Sequence, residues 1–389
     1  MEQNLSLPKQ PGNTNIKAFN YSKERIIYLD VLRVLACFMV LLMHAGDPYL
    51  WDAVTKTFGP ECSFYCALLR PCVPLFIIMS SILLLPLKTD TSTFLKRRFT
   101  RVVIPFLLWS VIYVFLPTPG KIVFGGPANA FADSVMNVYA YNLMLIPISF
   151  TGTNVHFWFI YTIIGLYLFM PIISPWIQQA SKKGLLAFLT VWAVTLFFPY
   201  IRLWFPQLQG ECDWNEFGML YYFSGYFGYI VLGYFLHKYN PLSSVKSTLL
   251  GFVLFAIGLA LTYKGFLWDE QRFLNELSTN GTENWKLLEL CIGNLTINVV
   301  LMTMGMFLFF QKLAIPKMLQ KPIIELSIFS YAIFLVHYIL NLWASHELAS
   351  WLNLNPGVEQ FIIALIVFVS SYAIVKLISS LPKSKYLIG

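Results

Sequence analysis

An all-α polytopic membrane protein with about ten transmembrane helices is predicted by three observations on this chain of 389 residues. Hydrophobic residues make up 57% and charged residues 12%, where soluble domains carry about 45–50% and about 25%. Apolar stretches close to the ~20 residues that cross a ~30 Å hydrocarbon core recur along the chain. The basic residues between those stretches segregate to alternate sides. With mean hydropathy at +0.65, a water-soluble enzyme is excluded, and the 34 Phe, 21 Tyr and 11 Trp suit helices in lipid with ring-bearing ends at the interface.

The spans are expected near residues 26–45, 67–87, 102–117, 157–176, 184–199, 219–238, 246–263, 289–311, 324–343 and 359–379. Residues 1–25 read as a polar cytoplasmic tail with no removed signal peptide, because the first span carries Asp30 and Arg33 and lacks a small-residue cleavage site. Residues 26–389 read as one membrane-embedded domain. Nineteen of the 27 Lys and Arg fall on one side of the ten spans, among them Lys96, Arg97, Arg98 and Arg101. Seven fall on the other side and Arg33 lies inside a span, so the richer side and both termini are expected in the cytoplasm.

The longer loops, 46–66, 118–156, 200–218, 264–288 and 344–358, are then outside. They carry most of the acid, including Asp47, Glu61, Glu211, Asp213, Glu216, Asp269 and Glu270, most of which is expected only to solvate them. Within the second loop, Val135 to Phe150 is apolar but short and contains Pro147, which suggests an interfacial or re-entrant segment. The net charge of +8 does not point to nucleic acid, because the basic residues never alternate with stacking aromatics on a polar face. The six Cys show no metal-ligand spacing, so no metal is expected. Cys62, Cys66 and Cys212 fall outside, where a disulfide is chemically feasible.

The first span holds the residues most out of place in lipid. Arg costs about 2.5–3.5 kcal/mol at the centre of a span on insertion scales, and Asp30, three residues before Arg33, is spaced to pair with it. Arg33 and His44 are eleven residues apart, close to three helical turns, which places them on one face about 16 Å apart along the axis. Spacing alone leaves two readings open. Either this face carries a cation toward the cytoplasm and a working imidazole near the outer surface, or Arg33 snorkels beside Asp30 and His44 merely ends the helix.

The stretch from Leu29-Asp-Val-Leu-Arg33 to His44 resembles the acyltransferase-3 family of multi-spanning membrane proteins, whose signature is an arginine, ten residues, then a histidine in the first helix. Further landmarks follow in order along nearly the whole chain. Pro74-Leu-Phe-Ile-Ile-Met-Ser80-Ser81 resembles the family's second helix, with Ser81 where a glycine is usual. Phe94-Leu-Lys-Arg-Arg98-Phe-Thr-Arg101 resembles its basic third segment, His156-Phe-Trp-Phe159 its His-x-Trp-Phe helix start, and Ser330 to His337 its late helix ending in histidine.

The resemblance implies acyl transfer, often acetyl, from cytoplasmic acyl-CoA to a hydroxyl of a glycan or lipid-linked sugar beyond the membrane. It implies catalytic roles for His44, Arg33 and His156, CoA contacts for Arg98 and Arg101, and acetyl-CoA or another acyl-CoA as donor without a metal. Partners would be membrane lipids, acyl-CoA and the glycan acceptor, in an integral membrane protein of a bacterial cytoplasmic membrane. Anionic lipid headgroups are the competing ligand for the Lys96 to Arg101 cluster. His337 is expected to be a core histidine bonded to a neighbouring helix, and Glu325 to open its helix at the positive end of the dipole. A transporter or flippase for a lipid-linked sugar or small molecule, or a scaffold in an envelope assembly complex, are the alternative classes.

Overall fold

The computed structural model of the protein describes residues 25–52, 57–115, 135–149, 154–205 and 219–389. Residues 1–24 of the tail and the loop residues Glu211, Cys212, Asp213 and Glu216 lie outside the described residues.

Helix α1 (Ile27–Leu50) is the axis of the bundle, and α2 (Pro60–Leu68) and α3 (Cys72–Leu84) follow as one apolar run with a break at Leu69–Pro71. Helix α4 (Thr91–Arg98) is capped by Asp90, whose carboxylate accepts from the Thr93 N–H at 2.9 Å, and passes through a π-helical turn (Phe99–Val103) into α5 (Ile104–Phe115). The short apolar segment of the second outer loop forms α6 (Val135–Leu145). Helices α7 (Trp158–Gln179), α8 (Lys182–Thr195), α9 (Phe198–Ile201) and α10 (Phe227–Tyr239) come next, then the 37-residue α11 (Ser244–Asn280) and α12 (Ile297–Gln311). Helices α13 (Lys317–Glu347), α14 (Ala349–Leu352), α15 (Pro356–Ser379) and α16 (Lys385–Ile388) complete the chain. A two-residue antiparallel ladder, β1 (Trp51–Asp52) with β2 (Thr57–Phe58), pins the loop after α1.

Among the described residues, eight helical segments of 20 to 37 residues are long and apolar enough to cross a membrane. They coincide with eight of the ten expected spans, which makes this an all-α polytopic membrane protein. The two remaining expected spans hold shorter helices, α10 of 13 residues and α12 of 15, which pack within the bundle. Near the start of α10, the Tyr229 hydroxyl donates to the Asn294 carbonyl at 2.6 Å. At its far end His237 shares a 2.7 Å hydrogen bond with Tyr28 at the start of α1, and Asn240 meets Gln311 at the end of α12 at 2.6 Å. Flanking 3-10 turns, Tyr221–Phe223 and Trp285–Glu289, precede these two helices, so sequence windows of uniform length overstate their helical extent.

Helix α13 packs between α1 and α15, and α3 packs on α1 and α10. Van der Waals fit, not a hydrophobic difference, holds helices together in lipid, so small residues mark the closest approaches. At Gly251 on α11 a Cβ would lie 2.5 Å from the Phe309 nitrogen of α12, and at Gly305 on α12 it would lie 2.5 Å from the Phe255 nitrogen of α11. The Ser81 hydroxyl is buried and donates to the Ile230 carbonyl of α10 at 2.6 Å. The close approach there comes from the other side, where a Cβ on Gly233 would sit 2.9 Å from the Ile78 carbonyl oxygen.

Two expectations are corrected by the packing. Glu325 does not open its helix, because α13 begins at Lys317; it instead accepts a hydrogen bond from Tyr372 at 2.7 Å and pairs with Lys376 of α15. Cys62 and Cys66 are buried free thiols, so no disulfide forms between those two.

The α11–α12 contact leaves no room for a side chain at its crossing. Gly251→Leu or Gly305→Leu is therefore expected to lower stability by about 1–3 kcal/mol or more, read as a fall in the unfolding midpoint of the detergent-purified protein. An unchanged midpoint in both variants would show that the two helices are not in backbone contact.

Candidate active site

Helix α1 carries both halves of the site, because the eleven-residue spacing sets Arg33 and His44 on one face at different depths. Near its C-terminal end, the outer one in the orientation expected from the charges, amides from two neighbours fix its position. Asn341 of α13 donates to the Leu41 carbonyl at 3.2 Å and Gln360 of α15 to the Leu42 carbonyl at 2.8 Å. Gly46 makes room for the Gln360 side chain, which would lie 2.2 Å from a Cβ there, inside any allowed contact.

His44 opens into a cavity of about 250 Å³, lined also by Asp47, Arg70, His156, Trp158, Asn294 and Gln360. The His44 Nδ1 lies 3.0 Å from the Asp47 carboxylate. An Nδ1–H donated to that carboxylate leaves the neutral ring with its lone pair on Nε2, and it fixes the ring's orientation. Arg70 is folded back, donating from Nε to the Cys66 carbonyl at 2.9 Å and from Nη2 to the Cys66 sulfur at 2.6 Å.

Three histidines from three helices or helix starts converge here. The His44 ring centroid is 6.4 Å from that of His156 and 5.5 Å from that of His337, and the latter two are 5.0 Å apart. His156 sits in a 3-10 turn (Val155–Phe157) at the mouth of α7, 1% exposed, with its ring stacked on Tyr338 at 4.7 Å. Neither of its ring nitrogens has a hydrogen-bond partner, and the same holds for Nε2 of His337. Buried polar atoms left without partners are costly and uncommon, so a cluster of them marks a place where a substrate or water is meant to bond.

His337 is buried as expected, but its Nδ1 bonds to the Phe334 carbonyl of its own helix at 2.6 Å and not to a neighbouring helix. Its contribution to the cluster was not legible in the sequence, since it lies 293 residues from His44 in the first span. Asp47 was legible as an acid three residues after His44, the spacing at which helical side chains meet.

The inner half is a second cavity, of about 270 Å³, lined by Arg33, Ser80, Arg98, Arg101, Tyr167 and Ser327 among others. Arg98 ends α4 and Arg101 lies in the π-helical turn, a departure from α geometry often found at functional sites. The Arg98 guanidinium lies between the rings of Phe94 and Tyr167, 5.8 and 6.0 Å from their centroids. Lys96 and Arg97 are exposed and do not line this cavity. Among the described residues none of Arg33, Arg98 and Arg101 makes an ion pair.

The expected Asp30–Arg33 pair is not formed. Arg25 takes both carboxylate oxygens of Asp30 at 2.8 Å, and the Ser327 hydroxyl donates to the same group at 2.5 Å. The planar guanidinium fork of Arg25 satisfies the carboxylate bidentately, while Arg33 keeps only a long 3.4 Å contact to Ser327. Sequence spacing favoured the i, i+3 partner; the tertiary fold supplied a better one and left Arg33 facing the cavity.

Sites expected together are thus sorted into two groups. His44 and His156 line the outer cavity, and Arg33, Arg98 and Arg101 the inner one. Phe76, Phe159 and Phe334 line both. Among the described residues no group of His, Cys, Asp and Glu side chains is arranged to hold a metal ion.

A family model described as an acyltransferase domain matches residues 26–376. Neither a search of curated proteins nor one of solved structures gave a match.

The pairing of Asp30 has a stability consequence. Asp30→Asn and Arg25→Met each break a partly buried charged contact and are expected to cost about 1–3 kcal/mol, whereas Arg33→Met removes a charge without an ion-pair partner and should leave the unfolding midpoint unchanged or raised. A loss at Arg33 equal to that at Arg25 would return the pair to the spacing-based assignment.

Proposed function

The chain belongs to the acyltransferase-3 family and is an integral membrane acyltransferase, and from that premise we propose that it moves an acyl group, acetyl in the first instance, from cytoplasmic acyl-CoA to a hydroxyl of an extracytoplasmic glycan or lipid-linked sugar. The observation that carries this reading is the stacking of an arginine-lined cavity and a histidine-lined cavity along one helix. A donor made inside and an acceptor held outside need those two chemistries at those two depths. The membrane is the bacterial cytoplasmic membrane in this reading, with both termini and the Lys96 to Arg101 segment in the cytoplasm.

Arg98 and Arg101 would take the phosphates of CoA, with Arg33 deeper along the path toward the thioester. Arginine suits this role because its fork matches phosphate oxygens and stays charged. In the outer cavity Asp47 orients His44, whose Nε2 removes the proton from the acceptor hydroxyl. The hydroxyl oxygen then forms a bond to the acyl carbon, the carbon–sulfur bond breaks, and the proton passes from His44 to the departing thiolate. His156, with both nitrogens unpartnered, is placed to bond the acceptor or the oxyanion. The Trp158 ring and the amides of Asn294 and Gln360 are the kind of surface that a sugar ring and its hydroxyls contact.

Mass spectrometry of candidate acceptors tests the reading directly, since a transferase adds one acyl mass while a transporter returns its substrate unchanged. His44→Ala is expected to leave CoA affinity largely intact and to lose transfer by about 10² or more. Arg98→Ala and Arg101→Ala should weaken acyl-CoA binding roughly ten- to hundredfold, the worth of one charge-assisted contact at about 1.5–3 kcal/mol. Native-rate transfer by folded His44→Ala would remove the catalytic assignment, and unaltered CoA affinity in both arginine variants would return that cluster to lipid contact.

Orientation is tested separately. In intact cells an impermeant thiol reagent, with modified sites located by peptide mass spectrometry, should label Ser278→Cys at the exposed end of α11 and spare Lys96→Cys. The opposite pattern would invert the donor and acceptor sides.

A further inference from the structure

The two cavities share three side chains and no charged or polar one. Phe76 of α3, Phe159 of α7 and Phe334 of α13 line both. The Phe76 and Phe159 rings lie 5.9 Å apart between centroids, and Phe159 meets Phe334 edge to face at 6.2 Å. On the outer side Phe334 touches the histidine cluster, 5.4 Å from His156 and 5.6 Å from His337. On the inner side lie Arg33 and Ser80, the latter one turn of α3 beyond Phe76.

A layer of rings with cationic chemistry below and imidazole chemistry above has a definite selectivity. Ions and phosphates cannot leave water for it without a large desolvation cost, whereas an uncharged thioester with a short apolar chain can. Each ring comes from a different helix, so helix spacing and ring rotamer together set the width of any opening between them.

We propose that Phe76, Phe159 and Phe334 form an uncharged septum that seals the inner cavity from the outer one and admits only the acyl end of the donor, so that these rings set the acyl-chain length the protein transfers. The proposal rests on the acyl-transfer reading above for its substrate, but the seal itself does not. The CoA moiety stays on the arginine side, the acyl carbon reaches His44, and water is kept from the thioester before an acceptor arrives.

Two measurements separate the seal from the chemistry. In the first, Ser80→Cys is exposed to a charged, impermeant maleimide in sealed vesicles of each orientation, and labelling at that position is read by mass spectrometry. With the three rings in place it should be labelled from one face only; in the Phe159→Ala background it should be labelled from both. In the second, transfer from acetyl-, propionyl- and butyryl-CoA is compared. Phe159→Ala and Phe76→Leu should raise the butyryl-to-acetyl rate ratio roughly tenfold or more, the scale on which a pocket discriminates methylene groups, with CoA affinity unaltered.

Labelling from both faces with native rings overturns the septum. So does labelling from one face in folded Phe159→Ala together with an unchanged chain-length ratio. One-faced labelling that becomes two-faced in the variant, with no acyl transfer from any acyl-CoA by the native protein, keeps the permeability seal and overturns the acyl aperture along with the reading it depends on. Phe76→Leu serves where Phe159→Ala fails to fold.

Discussion

A charged side chain inside a membrane-spanning bundle must be paired, hydrated or put to use, and the arrangement of this protein follows from how its first helix meets that constraint. Asp30 is satisfied completely by Arg25 and Ser327. That satisfaction removes the partner Arg33 would otherwise have had on its own helix. The result is a cation held toward a cavity by the surrounding packing, at a cost of a few kcal/mol that neighbouring helix contacts must offset. Arg98 and Arg101 join it from the α4–α5 segment, and the three make one basic inner chamber.

The same helix solves the opposite problem at its outer end. Imidazoles, unlike guanidinium groups, need not carry a charge to hydrogen-bond, and three of them gather beside Tyr338 and Phe334. Only His44 has a carboxylate beside it, and that carboxylate is exposed. Two of the three rings have a defined free nitrogen, Nε2 of His44 beside Asp47 and Nε2 of His337 whose Nδ1–H donates to the Phe334 carbonyl, and of these two only His44 has a carboxylate partner and lines the cavity. The unpartnered nitrogens of His156 and His337 are the counterpart of the unpaired arginines below: polar capacity retained at a stability cost, as is usual where function competes with folding.

The three side chains shared by the two chambers carry neither a charge nor a hydrogen-bonding group. Aromatic rings pack well edge to face and exclude water while adding no polar atom. The scaffold around them is tightened where it can be, by the glycine contacts of α11 with α12 and of α10 with α3, and by amides that reach from α13 and α15 to the carbonyls of α1. Rigid neighbours let a few side chains decide what passes from one chamber to the other.

Local pattern determined a great deal of this molecule. Hydropathy located eight membrane-length helices, and two shorter ones, α10 and α12, fall inside the other two expected spans, since lipid demands internally bonded helices and long apolar runs; the eleven residues from Arg33 to His44 set their common face because helical period is intrinsic to the chain. The order of landmarks along the chain likewise identified the family. Tertiary structure decided what period and hydropathy do not encode. It chose Arg25 over Arg33 as the partner of Asp30, because the Arg25 fork reaches both carboxylate oxygens from outside the helix. It drew His337 beside His44, 293 residues away, and His156, 181 residues away, and it made α10 and α12 shorter than the expected spans. Such choices depend on which helices become neighbours, and that is settled by side-chain packing between segments far apart in sequence, where no local spacing rule reaches.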